Sequence, residues 1–396
     1  MSRTTERRAD LVVVGAGTMG TWTALLAGRS GRSTILVDAF GAGHPRATSG
    51  DENRIIRNSH GTDPFYSRWA RRAREHWIAL GEQVAEQIFV QAGVLWFAGR
   101  RDGFEADSYR TLAALDIPVE HLSPEEVGAR WPQVGLDSLS FALFEPEAGF
   151  LLARRGVAAA ARQFGREGGT FRLADLRPGR TDGHRLLDVV DGAGERIAAG
   201  TFVFACGPWL PGLFPEAVGS LIKVTKQDVI YIGPAAGDGR FRSDKLPAWV
   251  DYDEAFWGVP AHDERGFKIG PDREGPPFDP SSEDRVVDSS SIDVVRRYLA
   301  LRFPGLADQP IVETRVCQYE TTPDTHFLID RHPDWDNVWL VGGGSGHGFK
   351  HGPAIGEHVV ARLDGRAVGP DEERFGLRER EPQPGMRTGG HQPARA

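Results

Sequence analysis

The chain has 396 residues, with 47 basic against 55 acidic side chains and a formal charge of −8. That length asks for two domains or one large α/β unit, and the acidic balance excludes a general binder of nucleic acid or of anionic membrane, which needs a basic surface. Two cysteines, Cys206 and Cys317, exclude a disulfide framework and make the cytoplasm the expected compartment.

The basic residues divide into 42 Arg and 5 Lys, the skew of a GC-rich coding sequence. Each retained lysine is therefore of interest, because an ammonium is compact and shifts its pKa where a guanidinium does not. The five are Lys223, Lys226, Lys245, Lys268 and Lys350. The opening MSRTTERRAD is charged, and the apolar run 11–14 is too short for a signal or a membrane span, so no targeting segment is expected.

The first predicted element is a short buried strand at 10–14. Gly15-Ala16-Gly17-Thr18-Met19-Gly20 follows at once, then a helix over 18–29 and a second strand at 34–37 that ends in Asp38. Strand, G-x-G-x-x-G, helix, strand and acid in that order make a dinucleotide-binding unit. Gly15 permits the turn, Gly17 lets a pyrophosphate reach the backbone, and Gly20 lets helix and strand pack. The helix N-terminus, with Thr18 and Met19, turns its partial positive charge to the phosphates. Asp38 is expected to accept from the adenosine ribose, and an acid there disfavours a 2′-phosphate. The motif does not separate NAD from FAD.

Next come a glycine- and arginine-bearing stretch over 39–60, a helix over 63–86, a strand at 89–97 and mixed structure over 103–144. An alanine-rich helix is expected over 150–168, and a strand at 201–205 leads to Cys206, which reads as plain packing. Residues 223–306 read as strands joined by polar loops and closed by a helix at 292–303. A strand at 338–341, the run Gly342-Gly343-Gly344-Ser345-Gly346-His347-Gly348 and a helix over 353–363 follow. The end, 377–396, is rich in Pro, Gly and Arg and is expected to be disordered.

Two glycine-rich strand-to-helix turns at opposite ends of the chain point to one nucleotide domain built from separated segments, expected at 1–90, 150–218 and 312–376. The pieces 91–149 and 219–311 are expected to form a substrate domain over it. The fold class is α/β: a Rossmann-like domain of discontinuous segments with a mixed-sheet, α+β second domain.

Five motifs carry a resemblance over residues 8–370: VVVGAGTMG with Asp38, GDENRIIR at 50–57, FKIG at 267–270, RVCQYETTPDTHFLID at 315–330 and GGGSGHGFKHGPAIGE at 342–357. The chain resembles the monomeric sarcosine oxidase and N-methyltryptophan oxidase group of D-amino-acid-oxidase-like flavoproteins. The resemblance implies an FAD-dependent amine oxidase with the flavin linked covalently to Cys317. It implies that Lys268 promotes oxygen reduction, that Arg57 and Lys350 hold a substrate carboxylate, that Tyr319 stands beside that pair, and that Arg54 adjoins the flavin. The glycine run, with Gly344, Gly346, Gly348 and Phe349, is expected to bring backbone N–H groups to the flavin pyrimidine. His347 reads as shaping that loop rather than as a base.

Three departures alter the substrate wall. One extra residue lies between Gly50 and Arg54, with Ser49 near the usual active-site histidine. Trp257 replaces a tyrosine, and Asp272 replaces a second histidine. A tryptophan wall points to a larger aromatic or cyclic amine, and Asp272 is a candidate contact for an amine or imine. The expected reaction is hydride transfer from a carboxylate-bearing amino acid to flavin N5, giving an imine, with O2 reduced to H2O2. Partners are a small amino acid and O2; no nucleic acid, membrane or metal is expected, and the state is a monomer or weak dimer. Three alternatives stand beside it: a biosynthetic flavin oxidase acting further on an aromatic amino-acid derivative, a dehydrogenase with a protein acceptor, and a flavin-holding sensor without turnover.

Overall fold

The computed structural model describes residues 7–367 and 369–382. Arg7–Val14 lies at the centre of a mixed eight-stranded sheet, paired in parallel with Thr34–Asp38 on one side and Arg196–Phe204 on the other. Thr170–Leu173 and Val338–Gly342 extend the parallel part outward. The second half of the first strand, Leu11 to Val14, is apolar on both faces because both are covered. Leu11 and Val13 face a layer holding Thr18–Arg29, Pro64–Val84, Ala153–Arg166 and Gly352–Leu363, packed around Trp22, Trp77 and Phe164. Val12 and Val14 face the other side, towards Phe202, Phe204, Leu210 and Phe214.

A second eight-stranded sheet has the order Ile311–Thr321, Lys223–Ile232, Phe267–Pro271, Phe256–Val259, Ala248–Asp251, Val94–Ala98, Phe141–Glu145, Glu120–Leu122. Helix Ser289–Arg302 covers one of its faces, with Val295, Tyr298 and Leu299 packed on Trp249, Phe267 and Ile269. Alternation along each strand fixes the rest. Phe267 and Ile269 point at that helix, so Lys268 between them points the opposite way. Ile230 and Ile232 likewise leave Tyr231 on the far face. That far face looks towards the first domain.

Several boundaries differ from the sequence reading. Ile311–Thr321, assigned from residue 312 to the nucleotide domain, pairs over its length with Lys223–Ile232 in the second sheet. The first three residues of the helix expected over 150–168 belong instead to a strand, Gly149–Leu152, between Asn53–Ile56 and Phe89–Val90, and the helix starts at Ala153. A four-residue apolar run fits either state, and pairing on both edges selects the strand. Order also runs beyond 377. Arg380 is buried, pairs with Asp324 at 2.8 Å and donates to the carbonyls of His326 and Phe327. The rest of the expected tail, 383–396, lies outside the described residues. Among the described residues no helix is long and apolar enough to cross a membrane.

Candidate active site

A cavity of about 780 Å³ runs between the two glycine corners, from Asp38 at one end to Arg54, Tyr319 and Phe349 at the other. Gly15 turns the first corner with φ +104°, and a Cβ there would stand 2.3 Å from the Ala205 carbonyl oxygen. Gly20 has no more room: its Cβ would stand 1.9 Å from the Gly15 carbonyl oxygen. Gly17, Thr18 and Met19 line the cavity where the helix begins. The Thr18 N–H donates to Ser49 Oγ at 3.0 Å, and the Thr18 hydroxyl donates to the Phe349 carbonyl at 3.2 Å, which ties the first corner to the second. Asp38 also clamps its own turn: Oδ2 accepts from the Ala16 N–H at 2.7 Å and Oδ1 from the N–H groups of Phe40 and Gly41 at 2.8 Å.

At the second corner Gly344, Gly346 and Gly348 line the same cavity. A Cβ on Gly348 would stand 2.8 Å from the Gly344 Cα and 2.9 Å from the Met19 methyl. His347 braces this loop, with Nε2 3.0 Å from the Thr325 carbonyl. The volume, the two glycine corners, the helix N-terminus and an orphaned buried carboxyl oxygen on Glu320 all suit an extended dinucleotide. The residues present fit FAD.

A smaller pocket of about 60 Å³ adjoins the first, and Arg54, Tyr319, Gly346 and Phe349 line both. Arg57, Trp257, Cys317, His347 and Lys350 line it too, and the neighbouring strand adds Gln227 and one acid, Asp228. Arg57 is buried, donates to the Ser59 carbonyl and stacks its guanidinium 4.9 Å from the Trp96 ring centre. Glu145, also buried, holds that segment by accepting from the Asn58 N–H at 2.7 Å, the Ser59 hydroxyl at 2.6 Å and the Trp96 indole at 2.9 Å. Lys350 is buried and donates to the His347 carbonyl at 3.0 Å. The Tyr319 hydroxyl donates to Asp272 at 3.3 Å. Trp257 faces Gly270 across the sheet, and its indole N–H is buried without a hydrogen-bond partner among the described residues. Arg54 reaches the Cys317 sulfur at 3.1 Å. The pocket has room for only a few waters.

Lys268 lies behind this wall and lines neither cavity. Its ammonium is fully buried, with all three N–H donors in use: to Asp51, to the Asn53 carbonyl at 2.9 Å and to the Asn53 side-chain oxygen at 3.1 Å. It also sits 4.9 Å from the Trp257 ring centre. Asp51 is shared with Arg54 at 2.5 Å, the Tyr231 hydroxyl at 2.8 Å and Arg315 at 3.4 Å. Burial pushes Lys268 down to about 8, with Asp51 opposing that fall. For Asp51 burial acts upward, but the charges of Lys268 and Arg54 prevail and hold its carboxyl well below the usual carboxylate range.

Of the residues singled out from the sequence, Arg57, Lys350, Tyr319, Trp257 and Cys317 line the smaller pocket and Gly15, Gly17, Thr18, Met19, Asp38, Ser49, Gly344 and Gly348 the larger, while Gly20, Lys268 and Asp272 line neither. The sequence reading did not single out Asp51, Asn53, Tyr231, Arg315, Glu145 or Glu320. The available signal was the acid pair Asp51-Glu52 inside an otherwise functional motif, since a buried acid needs cationic partners. A further grouping also went unforeseen. Ring nitrogens of His60, His347 and His351 lie within 4.8 Å of one another, a spacing that admits a metal ion. Burial and then the charges of Arg57 and Lys350 hold His60 well below its ordinary pKa, and burial with Lys350 does the same for His351. Those two charges oppose a further cation there.

Comparison with known proteins bears on the cofactor directly. The family model described as FAD dependent oxidoreductase matches residues 10–362. The monomeric sarcosine oxidase of Bacillus sp. (strain B-0618) is 28% identical over 370 residues, covering 89% of this chain and 91% of that protein. The N-methyl-L-tryptophan oxidase of Salmonella arizonae is 27% identical over 355 residues, covering 88% and 92%. The crystal structure of L-proline dehydrogenase from P. horikoshii superimposes with a TM-score of 0.81 at 20% identity, covering 94% of this chain and 100% of that one. With the dinucleotide cavity, its two glycine corners and a family match over most of its length, this chain belongs to the FAD dependent oxidoreductases, among relatives named for amine and amino-acid oxidation.

Proposed function

We propose that the chain oxidises an amino acid at the carbon beside its amine, with an N-methyl, cyclic or aromatic substrate. The observation that carries this reading is the pair of buried cations, Arg57 and Lys350, on the wall of one pocket that shares Arg54, Tyr319, Gly346 and Phe349 with the dinucleotide cavity. Two cations on one wall suit one carboxylate, and the guanidinium offers it a two-pronged donor. Anchoring the carboxylate fixes the substrate's C–H relative to the cofactor. The same positive charge lowers the pKa of the substrate amine and favours its neutral, oxidisable form. The Trp257 indole gives the wall an apolar face and a free N–H for an aromatic or cyclic substrate. FAD held between the two glycine corners, by Gly15, Gly17, Gly344 and Gly348, would supply the electron acceptor for oxidation of the amine to an imine, with O2 as final acceptor and H2O2 as its product. Cys317, on the wall with Arg54 against its sulfur, is the proposed point of covalent attachment. Lys268 is the proposed source of positive charge for oxygen reduction.

A second reading, a dehydrogenase with an acceptor other than oxygen, is favoured by one observation. All three Lys268 donors are engaged by Asp51 and Asn53. The test is anaerobic absorbance of the holoenzyme against N-methyl, cyclic and aromatic amino acids, followed by admission of air. Bleaching by a carboxylate-bearing amine and not by its decarboxylated analogue, then recovery with stoichiometric peroxide, supports the first reading. Bleaching with slow recovery and little peroxide supports the second, and absence of bleaching with any amine refutes both.

A further inference from the structure

Glu320 has no place in that chemistry. It follows Tyr319 on Ile311–Thr321, so alternation turns its side chain away from the substrate pocket and into the dinucleotide cavity, which it lines. It is 5% exposed. Glycines make room for the carboxyl on three sides. Oε1 lies 3.2 Å from the place a Gly344 Cβ would take, Oε2 lies 3.5 Å from that of Gly342, and both oxygens lie 3.8 Å from that of Gly207. The backbone amides of Gly343 and Gly344 face it. Oε2 is nevertheless buried without a hydrogen-bond partner among the described residues.

An orphaned carboxyl oxygen inside a ligand cavity is costly unless the ligand completes it. Among the described residues, the elements packed around Glu320 offer no cation to neutralise it. Helix Thr18–Arg29 presents Met19, the loop 342–348 presents backbone, and Lys223–Ile232 places Val224 opposite it in register. The turn after Arg196–Phe204 presents the thiol of Cys206, which burial pushes up and so keeps neutral. Elsewhere the same cavity is lined by Asp38, His44, Arg54, Asp175, Arg177 and Asp279, with Arg54 held by Asp51. Burial raises the Glu320 carboxyl to about 7, and the two facing amides keep it from rising further. An anion here would sit beside a cofactor that gains negative charge on reduction, which is unfavourable.

We propose that Glu320 serves the bound dinucleotide as a neutral carboxylic acid, donating a hydrogen bond from Oε2 to one of its oxygens, and that it binds a proton from solvent when the cofactor is reduced. The two electrons come from the substrate. The proton converts whatever fraction of Glu320 is carboxylate in the oxidised enzyme into the acid. This rests on the reading that the cavity holds FAD.

Potentiometric titration of the holoenzyme against a reference dye, at steps from about pH 6 to pH 8, reads protons taken up per electron from the slope of potential against pH. The wild type is expected to show a steeper slope above neutrality than Glu320→Gln, whose amide keeps the donor and the shape and cannot ionise. The oxidised flavin spectrum is expected to shift with a midpoint near neutrality in the wild type and to stay constant in the variant. Matching slopes and matching spectra in the two proteins overturn the proposal. Should the variant fail to retain flavin, the wild type decides alone: a slope and a spectrum constant across the range overturn it. A colourless protein that takes up no FAD fails the underlying reading instead.

Discussion

Asp51 determines what Lys268 can be. A lysine with no exposed surface would lose its proton at neutral pH without a counter-charge; Asp51 supplies one, and Arg54, Arg315 and Tyr231 share the same carboxylate. Asp51→Asn strands buried cations and is expected to cost about 3–5 kcal/mol in unfolding free energy, read by denaturant titration. It is also expected to slow reoxidation of reduced enzyme by oxygen at neutral pH, because Lys268 falls further and becomes neutral. Lys268→Met tests the same group from the other side: the variant should bleach with substrate at the normal rate and recover slowly in air, and unchanged recovery removes Lys268 from oxygen chemistry. A different kind of residue is His351. Both of its ring nitrogens are buried and unpartnered among the described residues, within an aromatic cluster that includes Tyr66 and Phe327. Its folded pKa lies well below the ordinary value through burial and the Lys350 charge. The unfolded chain therefore binds a proton there that the folded chain refuses, and stability falls as pH drops below about 6.5. His351→Phe should match or exceed the wild type in thermal midpoint at neutral pH and lose part of that acid-side fall.

Between elements, the contact that seats the second glycine corner is made by the long helix Pro64–Val84. Trp77 donates its indole N–H to the Lys350 carbonyl at 3.0 Å and stacks on Phe349, with ring centres 5.6 Å apart and planes 7° from parallel. Trp77→Phe keeps an aromatic ring there but leaves a buried carbonyl unpaired, for a loss of about 1–3 kcal/mol in stability. It also loosens Lys350, so its Michaelis constant for a carboxylate-bearing substrate should rise more than its turnover number falls. The unit around the first corner was legible in the sequence because each of its rules is local: strand, glycines, helix and acid follow within forty residues. The elements at 170–191 and the helix Phe104–Ala114 were not. Short exposed strands such as Thr181–Asp182 carry little periodicity, and they are held by pairing rather than by pattern.

Across the whole molecule the site is an interface between two sheets, and that explains which residues escaped notice. Lys268 and Asp51 are 217 positions apart in sequence, and Trp77 and Lys350 are 273 apart. No spacing rule reaches that far. Arg57, Lys350 and Cys317 could be placed together through family motifs, whereas Asp51 and Glu320 draw their meaning from neighbours that only the folded chain supplies. The two cavities share Arg54, Tyr319, Gly346 and Phe349 in their walls, so the proposed role of every group in the smaller one depends on the larger one holding a flavin. The absorbance spectrum of the purified protein, taken before and after incubation with excess FAD and removal of unbound cofactor, tests this most directly. Retained yellow colour with an oxidised-flavin spectrum at close to one FAD per chain is expected, whereas a colourless protein that remains so after incubation would contradict it.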